Sequence, residues 1–243
     1  MGPGPAEHTH IQLLIVTNLE TSMSTARTLR TTVLTLLTTL TLTACLPSHD
    51  TATGPAPGNG DVVNTQLAAL AVRAEDTGAH YRRDDWGDWT SHGNGCDTRE
   101  LVLRDQGHGT VPGKGCKPTC PANGPACWTS PYDNTPLHNP ANVQIDHRVP
   151  VKEAVRSGAR TWNQQQRERF YNDPTNLVAV SAHSNTSKGD RDPGTWRPSN
   201  RDNWCSYATA YIATKATYHL SVDQCEHDAL AAMLATCAPG GAR

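Results

Sequence analysis

The 243-residue chain is 36% hydrophobic, contains a single Phe and carries a formal net charge of −2. That length leaves room for one domain of ordinary size with appendages, and the composition makes its core thin. The near-neutral balance excludes a chain that is cationic over its whole surface, so any polyanion would have to be met by a local basic patch.

Residues 1–22, "MGPGPAEHTHIQLLIVTNLETS", fit no export signal and are expected to be a spurious extension ahead of the true start. Residues 23–45, "MSTARTLRTTVLTLLTTLTLTAC", begin with basic Arg27 and Arg30, continue as an apolar Leu/Val/Thr run and end in small residues before a cysteine. Those are the features of an export signal rather than of a membrane span. The tetrapeptide Leu42-Thr43-Ala44-Cys45 resembles the lipobox of bacterial lipoproteins, which implies cleavage before Cys45 and diacylation of its thiol. An ordinary signal peptide with a chance cysteine is the alternative. The expected location is the outer face of the cytoplasmic membrane, held there only by the lipid, or the secreted fraction. Residues 46–62, rich in Pro, Gly and Thr, read as a flexible tether with a reach of up to about 55 Å.

Residues 63–140 are expected to supply a helix, a strand and a Cys-rich loop region. Thr65–Asp76 has an amphipathic helical period, Cys96–Asp105 alternates like a strand, and residues 106–140 carry many Gly, Pro and Asn. In an exported chain the seven cysteines besides Cys45 point to disulfides. The expected pairs are Cys96–Cys116, Cys120–Cys127 and Cys205–Cys237, with Cys225 left over, although spacing alone leaves the connectivity open. A zinc knuckle built on "CKPTC" and Cys127 is the rival reading, weakened by the absence of a CxxC pair.

The remaining stretch, residues 141–237, carries the chemistry. Asn142–Val149 alternates as a strand ended by Pro150, Thr161–Tyr171 reads as a helix with Thr161 as its N-cap, and Asn176–Ala182 is a short apolar strand. "SNTSKGD" is expected to open a helix at Ser184, and Asn203–Tyr218 and Val222–Thr236 are both helical in pattern. The class is α+β. His147, beside Asp146 at the first strand's end, lies 29 residues before Asn176; Asn185 follows nine positions later and Lys188 three beyond that. Asn185 and Lys188 would share one helix face. Taken singly, an Asp-His pair is a solvated strand end, Asn176 a turn residue, Asn185 an N-cap and Lys188 a surface charge.

Taken together, "DH…NLVAVSAHSNTSKGD" resembles the HNH endonucleases, whose ββα-metal finger carries an Asp/His-His pair, a central Asn, and a final His or Asn followed by xxK. The Asn-x8-Asn-x2-Lys spacing is similar to the HNH module of RNA-guided CRISPR nucleases. Over about residues 78–237 the chain resembles secreted actinobacterial HNH-family proteins related to the DUF1524 domain of GmrSD-type restriction enzymes. Asn185 stands where the motif's name would place its last His.

The resemblance implies a ββα-metal core and a role for each residue. Neutral His147 would take a proton from water, with activity rising through about pH 6–7, and Asn176 would hold the imidazole in orientation. Asp146 and Asn185 would hold one Mg²⁺ or Mn²⁺ with room for water and phosphate. Lys188 would sit near the phosphate as a point charge, with Arg148 and Arg191 as further substrate contacts. His183 offers an extra imidazole and is read as exposed; Asp190 and Asp192 are read as loop caps. Between Ala141 and Arg201 there are 10 Lys/Arg against 6 Asp/Glu, a local excess suited to a phosphate backbone, or else a solvated face of Arg156, Arg160, Arg167 and Arg169. The expected function is a monomeric, exported, metal-dependent endonuclease acting on DNA or RNA. A non-catalytic surface lipoprotein that binds nucleic acid or a protein partner is the alternative, and a phosphodiesterase for a smaller substrate is a third.

Overall fold

The computed structural model of the chain describes residues 59–78 and 80–237. The early start, the export signal, Cys45 and most of the tether lie outside the described residues.

The described residues begin with α1 (Asn59–Ala69), then form a short hairpin of β1 (Ser91–Gly93) and β2 (Cys96–Asp97) that runs into α2 (Thr98–Asp105). Two more small antiparallel ladders follow, β3 (Val111–Pro112) with β4 (Pro118–Thr119), and β5 (Trp128–Thr129) with β6 (Pro136–Leu137). Next come β7 (Val143–His147), α3 (Val151–Arg156), α4 (Gln164–Tyr171), β8 (Leu177–Ser181), α5 (Ala182–Lys188), α6 (Trp204–Thr217) and α7 (Gln224–Leu234). β7 and β8 pair antiparallel, with Asp146 opposite Val178 and His147 opposite Leu177, and α5 packs on both strands. The fold is α+β, and β7, β8 and α5 make a ββα unit with α3 and α4 inserted between its strands.

β8 is buried along its whole length, which its unbroken run "LVAVS" requires. Val178 and Val180 join the larger core of α1, α3, α4, α6 and α7, whereas Ala179 packs with Val143, Leu103 and Trp128 in a smaller one. The thin composition is offset by rings. The lone Phe170 is fully buried and meets Trp86 and Tyr218 edge-on at 5.7 and 5.0 Å between centroids.

Three disulfides, Cys96–Cys116, Cys120–Cys127 and Cys205–Cys237, staple the loop region and tie the start of α6 to the end of α7. Cys225 is not left over: it too is disulfide-bonded, and no described cysteine is free.

Local signals explain where other expectations fail. Cys96–Asp105 is mostly helix rather than strand, because Asp97 accepts from the Glu100 amide while the Glu100 carboxylate accepts from the Asp97 amide. That reciprocal capping box nucleates α2 and buries adjacent Val102 and Leu103, which no alternation would do. α1 ends at Ala69 rather than Asp76, since Val72 bridges Val222 and the backbone there bonds outward to that residue. α4 begins two residues later than expected, capped by Asn163 with Gln166 instead of Thr161. α5 starts at Ala182 because the Ser181 hydroxyl accepts from the Ser184 amide.

Charge is also buried. The Lys215 ammonium, on α6, lies 2.6 Å from Glu153 of α3 and 2.9 Å from Glu226 of α7, and it donates to the Ser221 carbonyl at 2.8 Å. All three side chains are essentially inaccessible to solvent; Glu226 has Lys215 as its cation, while Glu153 also takes Arg156 at 2.9 Å. Replacing Lys215 by Met should therefore lower unfolding free energy by about 3–5 kcal/mol in urea titration. A loss under about 1 kcal/mol would show that the acids are protonated or hydrated instead.

Candidate active site

A cleft of about 440 Å³ opens where the ββα unit meets the inserted helices. β7 contributes Ile145, Asp146 and His147, the start of α3 contributes Lys152, and α5 with its following turn contributes Asn185, Gly189 and Asp190. Tyr171 closes one side, and Tyr81 and Arg83 reach in from the upstream segment.

The His147 Nε2 lies 2.8 Å from the Tyr171 carbonyl oxygen. A carbonyl only accepts, so Nε2 carries the proton and Nδ1 keeps its lone pair. The ring stacks on Trp89 at 5.8 Å with planes 10° apart and tilts against Tyr171 at 4.6 Å. Burial among these rings pulls its pKa down to about 4, outweighing the Tyr171 carbonyl and Asp146, which favour the charged form. The imidazole is thus neutral, held in one tautomer and available as a base at Nδ1.

Asn176 does not hold the imidazole. It is fully buried, its Oδ1 accepts from the Val149 amide at 2.9 Å, and its Nδ2 donates to the Val149 carbonyl at 3.2 Å. The side-chain amide thus pairs with one residue's backbone like a strand neighbour and fixes the bend that follows His147. The imidazole's holder is Tyr171, 24 residues away, which no sequence motif marks.

Lys188 is likewise elsewhere than expected. Its ammonium is fully buried, 2.9 Å from Asp146 Oδ1 and 2.8 Å from the His147 carbonyl. Burial pulls its pKa below the ordinary lysine range, and Asp146 opposes that. Tyr132 donates to the other Asp146 oxygen at 2.7 Å, its hydroxyl kept protonated mainly by burial. Arg148 turns away from the cleft: it donates to the Thr175 and Leu177 carbonyls and lines a separate cavity of about 190 Å³ beside Tyr132 and Tyr207. Arg191 donates to the Lys188 carbonyl at 3.2 Å, and His183 is exposed. Asp190 is an ion-pair member rather than a cap, held at about 2 chiefly by Lys152. Asp192 does cap its loop, accepting from the Gly194 and Thr195 amides.

Asp146 and Asn185 line the same cleft as His147, and both offer hard oxygen donors. Each Asp146 oxygen keeps a lone pair beyond its one hydrogen bond, so the pair fits a single hard cation whose shell is completed by water or phosphate. Lys188 would share the Asp146 charge with such an ion. A second grouping, Glu75, Glu153 and Asp192, brings three carboxylates within 4.8 Å of one another. It fits a metal poorly. Glu153 already takes Arg156 and Lys215, and burial, then Glu153, pushes the Glu75 carboxyl up to about 8, so that it is protonated at neutral pH.

Residues 126–233 match the family described as the C-terminal domain of GmrSD restriction endonucleases. A protein of the fungus Arthroderma benhamiae, described as an uncharacterized secreted protein, is 37% identical over 188 residues, covering 75% of this chain and 90% of that one. No solved structure matches.

Ring-proton NMR should find His147 titrating near pH 4, against about 6.5 for a free imidazole. The unfolded chain takes up that proton first as pH falls. The stability linked to His147 is therefore complete above about 6.5 and is lost as pH drops toward 4. A midpoint above 6 would refute the buried, neutral ring.

Proposed function

The chain belongs to the family of the secreted Arthroderma protein, and from that premise and its GmrSD-type domain we propose that it is an exported endonuclease hydrolysing the phosphodiester bonds of DNA or RNA. The observation that carries this reading is the neutral, tautomer-fixed His147 in a cleft shared with Asp146 and Asn185.

Hydrolysis of a phosphodiester needs an activated water, a positive field at the phosphate and relief of charge on the leaving oxygen. His147 Nδ1 takes the proton from water, and the Tyr171 carbonyl, accepting from Nε2, steadies the imidazolium that forms. Asn176, by clamping Val149, and Lys188, by bonding the His147 carbonyl, keep the end of β7 from shifting during the step. Asp146 and Asn185 are the residues that would hold Mg²⁺ or Mn²⁺. Such an ion supplies Lewis-acid polarisation of the phosphate and screening of the leaving oxygen. Recognition rests on the backbone, since nothing lining the cleft resembles a base-reading helix.

The disulfides and the secreted relative support an extracytoplasmic location. Retention there through acylated Cys45 is the finer part of the proposal; since the other six described cysteines pair among themselves and an acylated sulfur has no thiol left, it requires Cys225 to bond to a cysteine of another molecule. Peptide mapping of the oxidised protein should return Cys45 as a lipid-modified N-terminus, and Cys45→Ala should move the protein to the soluble exported fraction. Recovery of Cys45 in a disulfide-linked peptide would overturn the anchor and leave secretion.

Plasmid nicking by the oxidised protein should require Mg²⁺ or Mn²⁺ and stop in EDTA, and His147→Ala should cost on the order of 10²–10⁴ in rate with folding intact. Because the ring is neutral down to about pH 4, the acid limb of kcat/KM should lie there rather than at pH 6–7. Binding without cleavage under every metal tried would favour the non-catalytic surface protein. Undiminished cutting in EDTA would remove the metal from the scheme.

A further inference from the structure

Three cations were expected at the phosphate, and none of them lines the cleft: Lys188 is buried against Asp146, Arg148 lines the other cavity, and exposed Arg191 donates through Nε to the Lys188 carbonyl. The cations that do line the cleft are Lys152 and Arg83. Lys152 is already matched by Asp190 at 2.9 Å. Arg83 has no carboxylate partner among the described residues. Its Nη1 donates to the Gly87 carbonyl, its Nη2 to the Tyr171 hydroxyl, and its guanidinium lies over the Tyr171 ring at 4.3 Å.

Tyr171 is thereby a common anchor. Its carbonyl holds the His147 imidazole and its hydroxyl and ring hold the Arg83 guanidinium, so base and cation keep a fixed relation to each other. Resting on the nuclease reading of this cleft, we infer that Arg83 is the substrate-phosphate ligand, its guanidinium taking the non-bridging oxygens of the phosphodiester that His147 sets up for attack. A planar fork matches two phosphate oxygens at once, and stacking on an aromatic ring holds its plane without neutralising it. Arg83 lies upstream of residues 126–233, so the part of the chain shared with the restriction enzymes borrows this cation from a segment outside the match.

The test uses the full oxidised protein, a nicking assay, and fluorescence anisotropy with a duplex oligonucleotide in the His147→Ala background. Arg83→Ala should lower kcat/KM by about ten- to hundredfold, and the log–log salt slope of binding should shrink by about 0.9, one phosphate contact. Arg83→Lys should restore the slope but only part of the rate, because the ammonium keeps the charge without the fork. Tyr171→Phe, which keeps the ring and the carbonyl, should leave the slope unchanged. If Arg83→Ala slows cutting yet the slope is unaltered, Arg83 only props Tyr171 and the inference falls. It also falls if the parent cuts and Arg83→Ala cuts equally well. A parent that neither cuts nor binds the duplex overturns the nuclease reading itself, and this assignment with it.

Discussion

The buried contact of Lys188 with Asp146 and the His147 carbonyl is the constraint from which the site's geometry follows. One ammonium bonds the side chain of one residue and the backbone of the next, so α5 and the end of β7 cannot move independently. A charge of that kind is retained only while both oxygens stay within reach, because desolvation is unforgiving of a lost partner. Tyr132 completes the enclosure from the loop region. The cleft's acid is therefore held by three parts of the chain before any ligand arrives.

A second buried cation, Lys215, does for the helical layer what Lys188 does for the hairpin. It links α3, α6 and α7 through two acids, while Arg156 carries the network onward to Glu75 and to Asp190 at the cleft. Two buried acids and a buried base, joined at the core's edge to Arg156, Glu75 and Asp190, show how a composition with a single Phe is managed. Polar networks and rings supply specificity that aliphatic volume would supply in a richer core.

Much of this was legible in the chain. The antiparallel hairpin, the helix after it and the two C-terminal helices follow from alternation and helical period over runs that tertiary contacts do not contest. Over Cys96–Asp105 the alternation yields to the D-x-x-E capping box, a signal present in the letters Asp97 and Glu100. Within the site, spacing correctly gathers Asp146, His147 and Asn185 at one cleft. It misplaces Asn176 and Lys188 because motif spacing says which residues converge and not which atom faces which. Tyr132, Trp89, Tyr171 and Arg83 were illegible for a simpler reason: each reaches the site by a long-range contact that no local pattern encodes.

The packing of α1 also sets an order of events. Leu67 and Leu70 are buried in the core shared with α6 and α7, the last helices of the described chain. Burial of α1 therefore waits on partners from the far end of the described residues. Trp86, awaiting Phe170 and Trp162, is in the same position. Completion of the native core thus depends on contacts of long sequence separation, which makes this fold slower to close than its helical content alone would suggest.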